Sequence, residues 1–187
     1  HKNKIITIAY KNTKDKYTKT NVTHKKQKEV FLYVSSDYPH KNHKNLIGAW
    51  CLLSKDNIYP KLVLTIDKNT SLYNSIVKKV EKYGLNIDII SNLERKEIIY
   101  LYKQSTALIF PSFFESYGLP LVEANHYKLP VIASELDFVR DILDPVETFD
   151  PNSAKSISRS VKRFLKIKEK KTDIVAPVEF IKSVISL

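Results

Sequence analysis

Apolar runs of four or five residues recur along the chain and alternate with stretches in which apolar positions come three and four apart. Val30–Val34, Ala107–Phe110 and Pro130–Ala133 are continuous apolar runs, and Leu62–Ile66 and Ile87–Ile90 are apolar apart from Thr65 and Asp88, the pattern of strands buried on both faces. Between them, Leu46, Ala49, Trp50 and Leu53 mark a helix over Asn45–Ser54. Ser71–Tyr83 reads as a helix stopped by Gly84, and Ile98, Leu101 and Tyr102 line one face of a helix over Glu94–Gln104. Leu119–Tyr127, Leu136–Leu143 and Ser153–Lys166 complete the helical set, with a last helix over Val178–Leu187 behind Pro177. Alternating apolar strands and helices predict an α/β fold, a Rossmann-like three-layer parallel sheet with helices on both faces. Ile5–Tyr10 reads as a further strand. Lys11–Glu29 is polar, rich in lysine and threonine and without period, and reads as a loop.

Composition narrows the class. The chain has 187 residues, 43% of them hydrophobic and 27% charged, enough for one domain with a substantial core. No apolar run approaches the roughly 20 residues of a membrane span, and no signal peptide is visible. The chain holds no Met, so it reads as a piece of a longer protein, with His1 as a tag remnant. Its single cysteine, Cys51, lies in an apolar helical stretch, excludes an internal disulfide and fits a small buried hydrophobe in a reducing compartment. The net charge of +11 gathers in Lys11–Lys28 and Lys162–Lys171, where few aromatics interleave with the lysines. That pattern disfavours a single-stranded nucleic-acid platform and leaves solvated lysines, with a weak attraction to anionic membrane or phosphorylated ligands.

Ligands of such sheets bind beyond the carboxyl ends of the strands, beside helix N-termini. Three loops emerge there: SSDYPHKNHKN after Val34, PSFFESYG after Phe110 and SELD after Ala133. In the second, Gly118 permits a backbone turn that a side chain would obstruct, and Leu119-Pro120 opens a helix whose first amides face the crevice. Glu115 precedes that helix and Glu123 lies on it, eight positions on, so both carboxylates can border one ligand. A carboxylate accepts from two adjacent hydroxyls, which suits a ribose or a hexose; capping and solvation are the plainer roles for each glutamate alone. Lys41 is a candidate phosphate ligand, although a lone loop lysine is commonly a surface residue. His40 and His43 have no carboxylate or third ligand at metal-binding spacing, so no metal site is expected.

The segment FPSFFESYGLPLVEANHYKLPVIAS resembles the donor-site motif of the retaining glycosyltransferases of family 4, two glutamates separated by seven residues. YVSSDYPHKNHKNLIGAW resembles that family's phosphate-binding loop, and SNLERKEIIYLYKQSTALIFPS and VIASELDFVRDIL match its pattern in order, so the likeness covers about residues 30–166. The resemblance implies one half of a GT-B enzyme. Residues 1–10 would be a hinge strand, 11–29 a polar loop, 30–176 the donor-binding domain, and 177–187 a helix crossing toward an N-terminal acceptor domain absent from this chain. It also implies transfer of a hexose from a nucleoside diphosphate sugar such as a UDP-sugar, with retention and without metal or other cofactor. The acceptor would be a polysaccharide or a lipid-linked glycan. Glu115 would contact the transferred sugar and Glu123 the ribose hydroxyls, and Lys41 the diphosphate. Tyr117, Gly118 and Leu119 would supply backbone contacts, and Ile90 and Ser91 would line the base pocket. Ser36 stands where the family commonly has a phosphate-binding Arg. The form of the PHKNHKNL loop is similar to that of enzymes of bacterial surface-polysaccharide assembly, which implies lipopolysaccharide O-antigen or capsule synthesis. Such work is done in the cytoplasm, at the inner face of the plasma membrane. A nucleotide-sugar epimerase of similar fold and a non-catalytic nucleotide-sugar-binding module are the competing readings.

Overall fold

The computed structural model describes residues 29–168 together with Tyr17, Thr18, Ile181, Val184 and Ile185. The expected strand over Ile5–Tyr10 lies outside the described residues. Of the expected Val178–Leu187 helix, Ile181, Val184 and Ile185 are described, and they are helical and exposed. The strands are β1 (Tyr17–Thr18), β2 (Val30–Tyr33), β3 (Lys61–Leu64), β4 (Ile87–Ile90), β5 (Ala107–Phe110), β6 (Val131–Ser134) and β7 (Glu147–Phe149). The helices are α1 (His43–Lys55), α2 (Ser71–Tyr83), α3 (Arg95–Gln104), α4 (Leu119–His126), α5 (Asp137–Arg140) and α6 (Ala154–Phe164).

The sheet order is β1-β4-β3-β2-β5-β6-β7, parallel from β4 to β7, with β1 antiparallel on the edge. This is the predicted α/β class. Two strands extend the sequence reading. Tyr17–Thr18 pairs with Ile90 and Ile89, so the lysine-rich stretch supplies an edge strand rather than only a loop. β7 has no apolar run to announce it, only Phe149 buried out of Glu147-Thr148-Phe149. Helix α5 ends at Arg140, three residues short of the expected Leu143; Asp144-Pro145 follows closely, and the residue before a proline is pushed out of helical geometry.

The order of crossovers sets the site. From β2 the chain steps through α1 and α2 to β3 and β4 on one side. It then returns through α3 to β5 and steps through α4 and α5 to β6 and β7 on the other. Right-handed crossovers in opposite directions place α1 and α2 on one face and α3, α4 and α5 on the other. The reversal lies between β2 and β5, and a crevice opens at their carboxyl ends.

The core is aliphatic and aromatic. β4, β5 and β6 are buried along their whole length, and the charge of Asp88 within β4 is answered by Lys61 of β3. Trp50 of α1 is buried, donates Nε1–H to the Pro60 carbonyl at 2.9 Å and meets the edge of Phe31, which also meets Phe164 of α6. Cys51, on the same helix, is half-buried, and burial pushes its thiol pKa up.

Asn42 joins three segments at the crevice. It is buried in the left-handed region at φ 58°, and its Nδ2 donates to the carbonyls of Pro111 (3.0 Å) and Pro151 (2.7 Å). Asn tolerates that backbone better than Ala does, and Ala would leave the Pro111 carbonyl without its side-chain donor, while the Pro151 carbonyl keeps Asn45 Nδ2 at 2.9 Å. Asn42→Ala is expected to cost about 2–4 kcal/mol, read as a lowered urea midpoint with unchanged m-value.

Candidate functional site

Two loops are stitched together where the sheet reverses. The Phe113 amide donates to the His40 carbonyl at 2.9 Å. Tyr33, buried at the end of β2, donates its hydroxyl to the Lys41 carbonyl at 2.8 Å and shares a hydrogen bond with Ser112 Oγ at 3.1 Å. Burial above all raises the Tyr33 pKa, so its phenol stays protonated as a donor. With the backbones fixed, Lys41 Nζ reaches both carboxylate oxygens of Glu115, at 2.7 and 2.8 Å. The two side chains are only 14% and 9% exposed. The structure thus brings together two of the residues singled out in the sequence, 74 positions apart.

Gly118 follows at φ 67° as the N-cap of α4. A Cβ there would come within 2.8 Å of the end of Ile142, besides meeting an unfavourable φ. Pro120 occupies the first turn, where a missing amide costs nothing, and the helix N-terminus faces the crevice. Tyr117 and Leu119 project into solvent.

Glu123 lies buried on α4, and one of its oxygens, Oε1, accepts from Arg95 at the start of α3. Arg95 was not singled out in the sequence. Its place in the first turn of a helix was legible, but nothing local ties it to a glutamate 28 positions away. Tyr102 of α3 is also buried beside this carboxylate: burial first, and Glu123 second, keep its phenol protonated.

The remaining expected residues divide. Ser36 is exposed on the first loop, while Ser35 engages His43: Ser35 Oγ and His43 Nε2 are 2.9 Å apart. Ser91 is buried and gives its hydroxyl to the Ile66 carbonyl at 2.8 Å. Ile90 is a core side chain, so only its backbone could face a ligand. No group of three His, Cys, Asp or Glu that could hold a metal ion occurs among the described residues.

Burial pushes the His43 pKa from 6.5 down to about 4, the Lys41 charge adding to the effect and Asp37 opposing it. Its imidazole is therefore neutral when folded and takes up a proton more readily when unfolded. Above pH 6.5 the full contribution to stability is present, and it is lost as pH falls from 6.5 through 4. Denaturant titrations at pH 7.5 and 4 should show a loss of about 3 kcal/mol assignable to this residue, as the part of the pH dependence that His43→Gln removes.

The family model of "Glycosyl transferases group 1" matches residues 15–176. O-antigen chain mannosyltransferase B of Escherichia coli is 27% identical over 135 residues, covering 70% of this chain and 35% of that protein. The structure of sucrose-phosphate synthase from Thermosynechococcus elongatus matches with a TM-score of 0.64 at 22% identity, covering 75% of this chain and 37% of the other. The C-terminal domain of a group 1 glycosyl transferase (LpcC) from Francisella tularensis matches at 0.61 and 20% identity, covering 73% of this chain and 75% of that one. The chain spans well under half the length of the first curated relatives it matches, between 17% and 41%. The fold, the paired loops at the sheet reversal and the match across most of its length together show that the chain belongs to the glycosyl transferases group 1 family.

Proposed function

We propose that this chain is the donor-binding half of a retaining glycosyltransferase of family 4, and that the whole protein moves a hexose from a nucleoside diphosphate sugar to a growing glycan. The observation that carries the reading is the Lys41–Glu115 ion pair at the sheet reversal, with Glu123 eight residues further on beside the N-terminus of α4. A base and an acid meeting there match what such a donor presents, an anionic diphosphate beside a sugar whose anomeric carbon gains positive charge in the transition state. Lys41 would turn to the diphosphate, together with the amides at the start of α4. Glu115, released from Lys41, would face the transferred sugar. Glu123 would accept from the ribose hydroxyls through Oε2, with Oε1 held by Arg95. The base would lie against the backbone of Ile90 and Ser91.

In this reading positive side chains and helix amides carry the leaving group's charge and no metal is needed. The Arg common in the family at Ser36 would be replaced in part by Lys44 or His40. The likeness to an O-antigen mannosyltransferase favours a lipid-linked or polysaccharide acceptor and assembly at the cytoplasmic face of a membrane, the acceptor being bound by a further domain. Among the described residues no helix is long and apolar enough to cross a membrane. The test is transfer by the whole protein, with nucleotide sugars offered in the presence and absence of EDTA and the product's anomeric configuration read by NMR. Retention in EDTA is expected. Inversion, or release of an epimerised nucleotide sugar without acceptor, contradicts the reading.

A further inference from the structure

Helix α6 carries Lys155, Arg159 and Lys162 four and three positions apart, so their side chains form one stripe of its surface. The end of α1 faces that stripe. Lys162 Nζ lies 2.8 Å from Asp56 Oδ2, just past α1, and its side chain is only 13% exposed. After α6 the chain turns back sharply. Lys166 takes a left-handed backbone at φ 57°; its amide donates to the Arg163 carbonyl and the Ile167 amide to the Lys162 carbonyl, each at 2.9 Å. This helix-closing turn brings Ile167 and Lys168 back beside the stripe. A cleft of about 740 Å³ is left between α1 and α6, with Leu52 and Ile58 among its apolar walls. Lys155, Arg159, Lys162 and Lys168 all line it, against the single carboxylate of Asp56.

This placing of charge works against the helix that carries it. Like charges four apart repel on a helix face, and a cation in the first turn opposes the helix dipole. Lys155 stands in that turn, four residues before Arg159, and no acidic residue shares the turn with it. Lysines that served only solubility would have no reason to gather in a concavity. The cleft also lies apart from the proposed donor contacts. Helix α1 begins at the crevice with His43 and runs 13 residues to Lys55, a rise of about 20 Å. Lys41 and Lys44 stand at the crevice end of that helix, and Asp56 at the other.

We infer that the cleft between α1 and α6 is a second ligand site, and that it takes an organic phosphate. A phosphoryl group brings close to two negative charges and three acceptor oxygens, which Lys155, Arg159 and Lys168 can meet with charge-assisted hydrogen bonds. The organic part of the ligand would lie on Leu52, Ile58 and Ile167. Ile58 and Ile167 also border an adjoining hollow of about 210 Å³, whose other walls are Tyr59, Pro60 and Leu165, with Glu29 as its one charged residue. That hollow gives the organic part room, and a bare inorganic anion would leave the apolar walls uncovered. No aromatic side chain lines the cleft beside the cations, so it offers bases nothing to stack on, unlike a single-stranded nucleic-acid groove. A soluble phosphate ester and the headgroup of phosphatidic acid present the same chemistry. The inference does not use the donor-site reading.

The test uses the whole protein with UDP and GDP present to fill the crevice, and follows phenyl phosphate by saturation-transfer NMR. Phenyl phosphate is expected to bind more tightly than phenol, and more tightly than inorganic sulfate at matched ionic strength. The double variant Lys155→Gln, Arg159→Gln should weaken it by roughly 10-fold, and Lys155→Arg with Arg159→Lys should keep most of the affinity. Both side chains are exposed, and relief of like charges should hold or raise the melting temperature, so lost binding is distinguished from lost fold. Co-sedimentation with vesicles of equal parts phosphatidic acid and phosphatidylcholine, absent with phosphatidylcholine alone and lost in the double Gln variant, assigns the phosphoryl group to a lipid headgroup. Phenyl phosphate binding that the variant loses, without such co-sedimentation, assigns it to a soluble ester. Phenyl phosphate and phosphatidic acid both indifferent to the double substitution, or sulfate competing as well as phenyl phosphate, overturns the inference. Failure of nucleotides to bind counts against the donor reading and leaves these outcomes unchanged.

Discussion

Glu115→Gln is expected to lower transfer by roughly 10²–10³-fold while leaving nucleotide-sugar affinity unchanged or slightly improved. The amide keeps the shape of the carboxylate and loses its charge. That charge is matched by Lys41, so the substitution also frees Lys41 from a bidentate partner that the diphosphate must otherwise displace. Binding and catalysis should therefore move apart: kcat falls, and KM for the donor does not rise. A carboxylate that only neutralised Lys41 would behave differently. Its loss would tighten donor binding without a comparable loss in kcat. Lys41→Met is the complementary variant, expected to weaken binding of the diphosphate-containing donor and of the free diphosphate product alike. Steady-state kinetics of the whole protein, with donor affinities by calorimetry, separate the cases.

The second large effect is expected at Glu123. Glu123→Ala should weaken the donor by roughly 10–100-fold, the range for losing hydrogen bonds to a charged acceptor. A nucleotide sugar lacking the 2′-hydroxyl gives the specific control. Wild-type protein should discriminate against it, and the variant should bind both forms nearly equally, because the group that distinguishes them has been removed. Stability should respond less than affinity. Arg95, the partner left behind, keeps its side chain 59% exposed and can return to water. Equal loss of affinity for the ribose and deoxyribose forms would place Glu123 outside the ribose contact.

The fold was legible because a parallel sheet covered on both faces writes itself as apolar runs, and Val30–Val34 and Ala107–Phe110 are such runs. The elements that escaped lack that signature. Glu147-Thr148-Phe149 buries one side chain fully, and Tyr17-Thr18 pairs at an edge through its backbone. At the site, the loops and their glutamates could be placed from strand ends and from a motif of fixed spacing. Their partners could not. The Lys41–Glu115 pair spans 74 positions and Arg95–Glu123 spans 28, and only the crossover order of the sheet brings them together. Ile90 shows the limit of a strand-end reading. A strand-end position suggested a ligand contact, and its side chain, buried on β4, belongs to the core, which leaves only its backbone to face a ligand.

The most direct test of the donor-site assignment is a calorimetric titration of wild-type protein, Lys41→Met and Glu123→Ala with UDP- and GDP-sugars. The account predicts that one nucleotide sugar binds selectively and that each substitution weakens it, with Glu123→Ala also erasing preference for the ribose 2′-hydroxyl. Failure of every nucleotide sugar to bind the whole protein, or binding that neither substitution disturbs, would contradict it.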